Sequence, residues 1–138
     1  MNIVLIAQDE KKELMIDFCI AYGNILRSHT LFATGATGTA IEDATDLTIH
    51  KVSPGSIGGE QQIAARVELN EIDLVIYFRD TLNIHQNDPF RDSLLQLCDI
   101  NNIPVATNVA TAEMLVKGVE SGDLAWRDLV NPLYRNKK

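Results

Sequence analysis

Asp73-Leu74-Val75-Ile76-Tyr77-Phe78-Arg79-Asp80 decides the fold. Between its acidic ends lies an unbroken apolar run rich in β-branched and aromatic side chains. A run of this kind reads as a strand buried on both faces, as in a parallel sheet covered by helices. Asn2-Ile3-Val4-Leu5-Ile6-Ala7 is a second such run. Between the two, the spacing of Leu14, Met15, Phe18, Ile25 and Leu26 predicts a helix over 11–26 with one apolar face. Strand–helix alternation of this kind predicts a three-layer α/β/α sandwich around a doubly wound, mainly parallel sheet. Ligands in such folds bind in loops at the carboxyl ends of the strands. Asp80 stands at such an end, and Gly58-Gly59-Glu60-Gln61-Gln62-Ile63 opens a helix, so both carboxylates can face one crevice.

The rest of the chain repeats the alternation. Strands are expected at 29–33, 47–52 and 103–107, the last with Pro104 near its start, where a missing donor is tolerable. Helices are expected at 37–44, 61–69 and 93–100, and from a Thr111 cap to Glu120 with Glu113 in the first turn. Pro54 to Gly59 reads as a loop. Trp126, Leu129 and Val130 read as an apolar face that docks a C-terminal helix.

With 138 residues the chain is expected to form one domain, large enough to bury a core without disulfides or metals. A net charge of -7 argues against nucleic acid as a partner, since a basic face would be needed. Any anionic ligand must therefore be held by local groups. Cys19 and Cys98 are too few for a disulfide framework, which makes a reducing cytoplasm the default location. The apolar run at the amino terminus is too short to span a membrane. His29 and His50 lack motif context and read as surface or strand-end residues.

Thr34-Gly35-Ala36-Thr37-Gly38 follows a strand and opens a helix. Free amides at a helix start, with glycines allowing close approach, suit a phosphate. Lys12, at the first strand–helix junction, can supply the cation. On the loop alone, a glycine-containing turn with helix-capping threonines is the favoured reading, and Lys12 tips it toward a phosphate site.

Together these segments resemble the methylglyoxal synthase family over nearly the whole chain. The resemblance rests on Ile6-Ala7-Gln8-Asp9 with Lys12, Phe32 to Gly38, Gly58 to Gln62, Asp73 to Ile76 with Asp80 and Leu82, and Ile103 to Ala112. It implies a hexameric α/β/α protein that converts dihydroxyacetone phosphate into methylglyoxal and inorganic phosphate, with no metal or organic cofactor. It places the catalytic base on Glu60 and its partner carboxylate on Asp80, with Gln8 and Asn87 at the positions of the family's two histidines. Substrate and phosphate contacts fall on Asp9, Lys12, Thr34, Gly35, Ala36, Thr37, Gly55 and Gly59.

The departures from the family pattern all concern the chemistry. The base, typically aspartate, is Glu60, and the two histidines are Gln8 and Asn87. The family's last aspartate is Phe90, one phosphate-loop threonine is Ala36, and Pro54 replaces the serine before Gly55. A displacement near 1 Å can cost roughly a hundredfold in rate, and a lost acid–base group about 10²–10⁴-fold. Two functions are therefore expected in order: a methylglyoxal synthase-type lyase of reduced activity, or a module that binds phosphate or a small phosphorylated metabolite without turnover.

Overall fold

The computed structural model describes residues 1–52, 59–82 and 89–135. Its strands are β1 (Asn2–Ala7), β2 (Thr30–Thr34), β3 (Ile49–Val52), β4 (Leu74–Phe78) and β5 (Val105–Ala106). The longer helices are α1 (Lys12–Ala21), α3 (Gly35–Ala44), α4 (Gly59–Glu68), α5 (Pro89–Asn101) and α6 (Val109–Glu120). Single-turn helices α2 (Gly23–Leu26), α7 (Arg127–Val130) and α8 (Pro132–Arg135) complete the set, with a 3₁₀ turn at Asp9–Lys11.

The strands form one sheet in the order β3-β2-β1-β4-β5, and every described pairing is parallel. The chain moves outward from β1 through β2 to β3. It then crosses back to place β4 on the other side of β1. The winding direction thus reverses between β1 and β4, which is where α/β folds open a crevice at the carboxyl ends.

Alternation along the strands supplies two cores. Ile3, Leu5, Leu31, Ala33, Leu74, Ile76 and Phe78 face one side, where Met15 and Phe18 of α1, Ile41 of α3 and Val116 of α6 cover them. Val4, Phe32, Val75 and Tyr77 face the other, under Ile63 and Val67 of α4 and Leu94 and Cys98 of α5. All five residues of β4 are buried, as expected of a strand covered on both faces.

Several boundaries differ from the sequence expectation, each for a local reason. The helix expected over 11–26 divides, because Tyr22 leaves helical dihedrals before Gly23 starts α2. The apolar spacing survives the break, since Leu26 still packs in the same core. α3 and α4 begin at their glycines, two residues early, and α5 begins at Pro89, whose missing donor is harmless in a first turn. The cap of α6 is Asn108 and not Thr111: the Asn108 carbonyl oxygen accepts the Thr111 amide at 3.0 Å. β3 is shorter than expected because Leu47 N–H donates to Thr45 Oγ1 at 3.1 Å. β5 contracts to two residues, although Pro104 still accepts Val75 N–H at 3.0 Å.

The tail is held differently from the expectation. Trp126, Leu129 and Val130 are 44%, 63% and 41% exposed, so they are not a docking face. The anchor is Arg127, whose side chain is fully buried against Asp73 with Nε to Oδ1 at 3.1 Å. Asp73 also accepts from Asn131 Nδ2 at 3.0 Å and from the Asn2 amide at 2.8 Å. Arg127 Nη2 donates to Ile72 O and to Asn70 Oδ1, both at 2.7 Å, and Nη1 to Asn101 O at 3.2 Å. This cluster ties α7 to the amino ends of β1 and β4. Breaking a buried pair leaves an uncompensated charge, so Arg127→Met is expected to lower unfolding free energy by about 3–5 kcal/mol in urea titration. A loss below about 1 kcal/mol, the scale of an exposed ion pair, would remove the anchoring role.

Candidate active site

The crevice between β1 and β4 is closed at its base by one side chain. Gln8 N–H donates to Phe78 O at 3.1 Å, which carries the β1–β4 ladder past the last paired residues. The Asp80 amide then donates to Gln8 Oε1 at 2.5 Å. A backbone N–H can only donate, so the Gln8 oxygen must face it. The Gln8 NH₂ is left to donate elsewhere. Asp80 is itself only 6% exposed, and its Oδ1 accepts Leu82 N–H at 3.0 Å, which fixes the turn after β4.

Glu60 lies in the first turn of α4, three and seven residues before buried Ile63 and Val67. That spacing puts it on the sheet-facing side of the helix. Because α4 returns antiparallel to the strands, its first turn lies at their carboxyl ends, the end that carries Gln8 and Asp80. Gly59, beside it, is buried. Asn87 and Gly55 fall outside the described residues.

The end of β2 forms the crevice's other wall. Thr34 is the extended residue before α3, and its side chain makes no capping hydrogen bond. The alternative of capping by this threonine therefore does not describe the loop. The first amides of α3 have no Thr34 oxygen bonded to them, unlike those of α6, which Asn108 caps. Thr37 is buried, Gly35 is half-buried and Ala36 is exposed. Gly38 allows α3 to lie close on β3: a Cβ there would stand 2.6 Å from Lys51 Cγ and 3.1 Å from Ile49 Cγ2. The same Lys51 pairs with Glu42 of α3, and Glu42 also accepts Ile49 N–H at 2.9 Å. Both bonds, Lys51's first, hold the Glu42 carboxyl below its ordinary range.

Lys12 reaches Asp9 at 3.0 Å, and the Asp9 carboxylate is 87% exposed. An exposed pair of this kind is worth about 0–1 kcal/mol, so an anion at the loop can draw Lys12 away at little cost.

Sequence reasoning passed over Arg79. Among the described residues, its Nε is a buried donor with no hydrogen-bond acceptor. Leaving such a donor unsatisfied costs about 1–3 kcal/mol. The signal available in the sequence was a cation beside Asp80 at a strand end, inside an otherwise apolar run.

Other reactive groups lie elsewhere. Burial pushes the Cys19 and Cys98 thiols up to about 12, so neither is a nucleophile at neutral pH. His29 and His50 line a cavity of about 190 Å³ with Arg27, Asp46 and Thr48, beside the amino ends of β2 and β3. Burial, and then the neighbouring amino group of Met1, keep His29 below its usual range. Among the described residues no cluster of His, Cys, Asp and Glu could hold a metal, and no helix is long and apolar enough to cross a membrane.

A parallel sheet whose crevice combines a buried carboxylate, an uncapped helix start and a lysine defines an α/β protein suited to small anionic ligands. Residues 14–107 match the MGS-like domain family. A methylglyoxal synthase of Caldicellulosiruptor saccharolyticus is 54% identical over 99% of this chain and 98% of its own. One from Listeria welshimeri is 52% identical over 94% and 96%. The crystal structure of methylglyoxal synthase from Elizabethkingia anophelis superposes with a TM-score of 0.76 at 32% identity, covering 83% of this chain and 76% of that one. The chain belongs to the methylglyoxal synthase family.

Gly38→Ala tests the close packing behind the loop from Thr34 to Gly38. Overpacking typically costs about 1–3 kcal/mol. A melting temperature equal to that of the natural protein would mean that α3 does not depend on this contact.

Proposed function

We propose that the protein is a carbon–oxygen lyase that converts dihydroxyacetone phosphate into methylglyoxal and inorganic phosphate. The observation that carries this is the join of Gln8 to Asp80 across the reversal point of the sheet, at the end where α4 presents Glu60. Family membership over nearly the full chain gives the substrate.

Glu60 acts as the base. Its carboxylate takes a proton from the hydroxymethyl carbon beside the ketone, and the C–H electron pair moves into a new carbon–carbon double bond. The carbonyl oxygen becomes an enediolate, which the Gln8 NH₂ can meet as a neutral donor. Asp80, fixed by its own amide and by Leu82, is the partner carboxylate. It takes the proton of the hydroxyl on that same carbon, whose electron pair closes an aldehyde C=O. The double bond shifts toward the phosphate-bearing carbon as the carbon–oxygen bond to phosphate breaks. The enol left behind takes a proton on its CH₂ carbon and becomes methylglyoxal, and the phosphate takes the other proton. The leaving phosphate rests on the first amides of α3, Gly35, Ala36 and Thr37 among them, with Thr34, Lys12 and Gly55 around it; Asp9 orients Lys12. Asn87 is a further neutral donor. No metal or organic cofactor takes part. The enzyme works as a homohexamer in the cytoplasm. Turnover lies below that of relatives with histidines in place of Gln8 and Asn87.

The second reading, a module that binds phosphate without turnover, is favoured by Gln8 and Phe90, which cannot carry a proton. Phosphate binding is common to both. Millimolar inorganic phosphate is expected to raise the melting temperature, because a ligand selective for the native state stabilises it. The shift should shrink in Thr37→Val. An unchanged shift in that variant would place the anion elsewhere.

Glu60→Gln separates the two readings, since it keeps the shape and removes the charge. It should abolish phosphate release while the phosphate-induced melting shift persists. The natural enzyme's kcat/KM should rise through the carboxylate range and stay flat through neutral pH. A histidine acting in proton transfer would add a transition near its unperturbed pKa of about 6.5. Such a transition, or full activity in Glu60→Gln, would move the proton chemistry to other residues.

A further inference from the structure

Arg79 is the group in this crevice that the assigned chemistry leaves unused. Its neighbours follow from the register. Ala7 stands opposite Phe78, and the ladder continues through Gln8 N–H to Phe78 O and Asp80 N–H to Gln8 Oε1. Gln8 and Arg79 are therefore the next pair across β1 and β4. Side chains alternate along a strand. Phe78 belongs to the core under α1 and α6, whereas Tyr77 belongs to the core under α4 and α5. Arg79 accordingly emerges on the side of Tyr77, and Gln8 on the side of Ile6, which packs on that same core. Glu60 lies on the sheet-facing side of α4 at the same end. The base, the amide and the arginine thus share one face of one crevice.

One donor of the guanidinium, Nε, is buried and finds no acceptor among the described residues. α5 brings Phe90, whose ring stands 6.1 Å from that of Tyr77 and offers no acceptor. A cationic side chain with one buried donor left unpaired, on the crevice face that carries Gln8 and Glu60, has the form of a preorganised anion stabiliser.

We propose that Arg79 is a further catalytic residue, which with the Gln8 amide binds the enediolate oxygen. The inference rests on the reaction proposed above. When Glu60 takes the proton, the electron pair comes to the substrate oxygen and Arg79 donates hydrogen bonds to it. No proton leaves the guanidinium. The charge stays on that oxygen while the bond to phosphate breaks, and the hydrogen bonds relax when the CH₂ carbon is protonated and the ketone re-forms. The cation supplies what two neutral amides in place of histidines do not. Because it stays protonated, it adds no transition to the pH profile.

The test compares natural protein with Arg79→Met, Arg79→Lys and Arg79→His. Losing one such donor typically costs about 10²–10³ in kcat, so Arg79→Met should fall by that factor with KM little changed. Arg79→His should acquire a transition near the histidine range, which a structural role would not produce. Binding gives an independent readout through two probes, inorganic phosphate and phosphoglycolohydroxamate, whose hydroxamate imitates the enediolate. Arg79→Met should lose affinity for the hydroxamate and keep it for phosphate. If the natural protein has no turnover, the lyase reading fails while the two-probe comparison still decides whether Arg79 meets an enediolate-like oxygen. Should Arg79→Met fail to fold, Arg79→Lys keeps the stem and charge, and its smaller loss should be confined to kcat and the hydroxamate. Equal loss for both probes would make Arg79 a phosphate ligand and overturn the proposal. So would unchanged hydroxamate affinity with unchanged turnover.

Discussion

Register pairs from Ile3 with Leu74 to Ala7 with Phe78 lock β1 against β4, and the rest of the molecule is arranged around that seam. At its foot Asp73 N–H donates to Asn2 O at 2.8 Å, and the Asp73 carboxylate takes the buried Arg127. At its head the pairing passes from backbone to side chain, and Gln8 receives the Asp80 amide. The seam is also where the winding of the sheet reverses. The two ends therefore do different things: the lower one fixes the C-terminal helices, and the upper one leaves a crevice lined by fixed polar groups.

The upper end shows how an α/β fold assembles a site from separate segments. β1 contributes Gln8, β2 the first amides of α3, β4 Arg79 and Asp80, and the return helix α4 Glu60. Their spacing is set by the sheet, so in the proposed reaction a single carbon added to the base would matter more than a comparable change on the surface. In that reaction the Gln8 amide donates where the family pattern places an imidazole, with the buried Nε of Arg79 on the neighbouring strand.

Most of the fold was legible in the sequence. The runs 2–7 and 74–78 are apolar on both faces, and only a covered parallel sheet suits them. The chain order of strands and helices then followed from periodicity. What the pattern did not carry was contact between distant positions. Asp73 and Arg127 are 54 residues apart, and nothing local marks them as partners, so the apolar Trp126, Leu129 and Val130 drew the assignment instead. The break at Tyr22 was invisible because Ile25 and Leu26 keep the helical spacing across it. At α6 both Asn108 and Thr111 suit a cap, and only geometry selects Asn108. In the site, Glu60, Asp80 and the loop from Thr34 were readable from residue type and place. Arg79 was not, because what marks it is a buried Nε without an acceptor among the described residues.

The proposed reaction requires that this crevice turn its ligand over and not merely hold it. The direct measurement is ¹H and ³¹P NMR of dihydroxyacetone phosphate with purified protein at neutral pH. The account predicts that inorganic phosphate and methylglyoxal appear together, one for one, at a rate proportional to protein concentration. Phosphate release no faster than in the protein-free control, under conditions where phosphate binding raises the melting temperature, would contradict it.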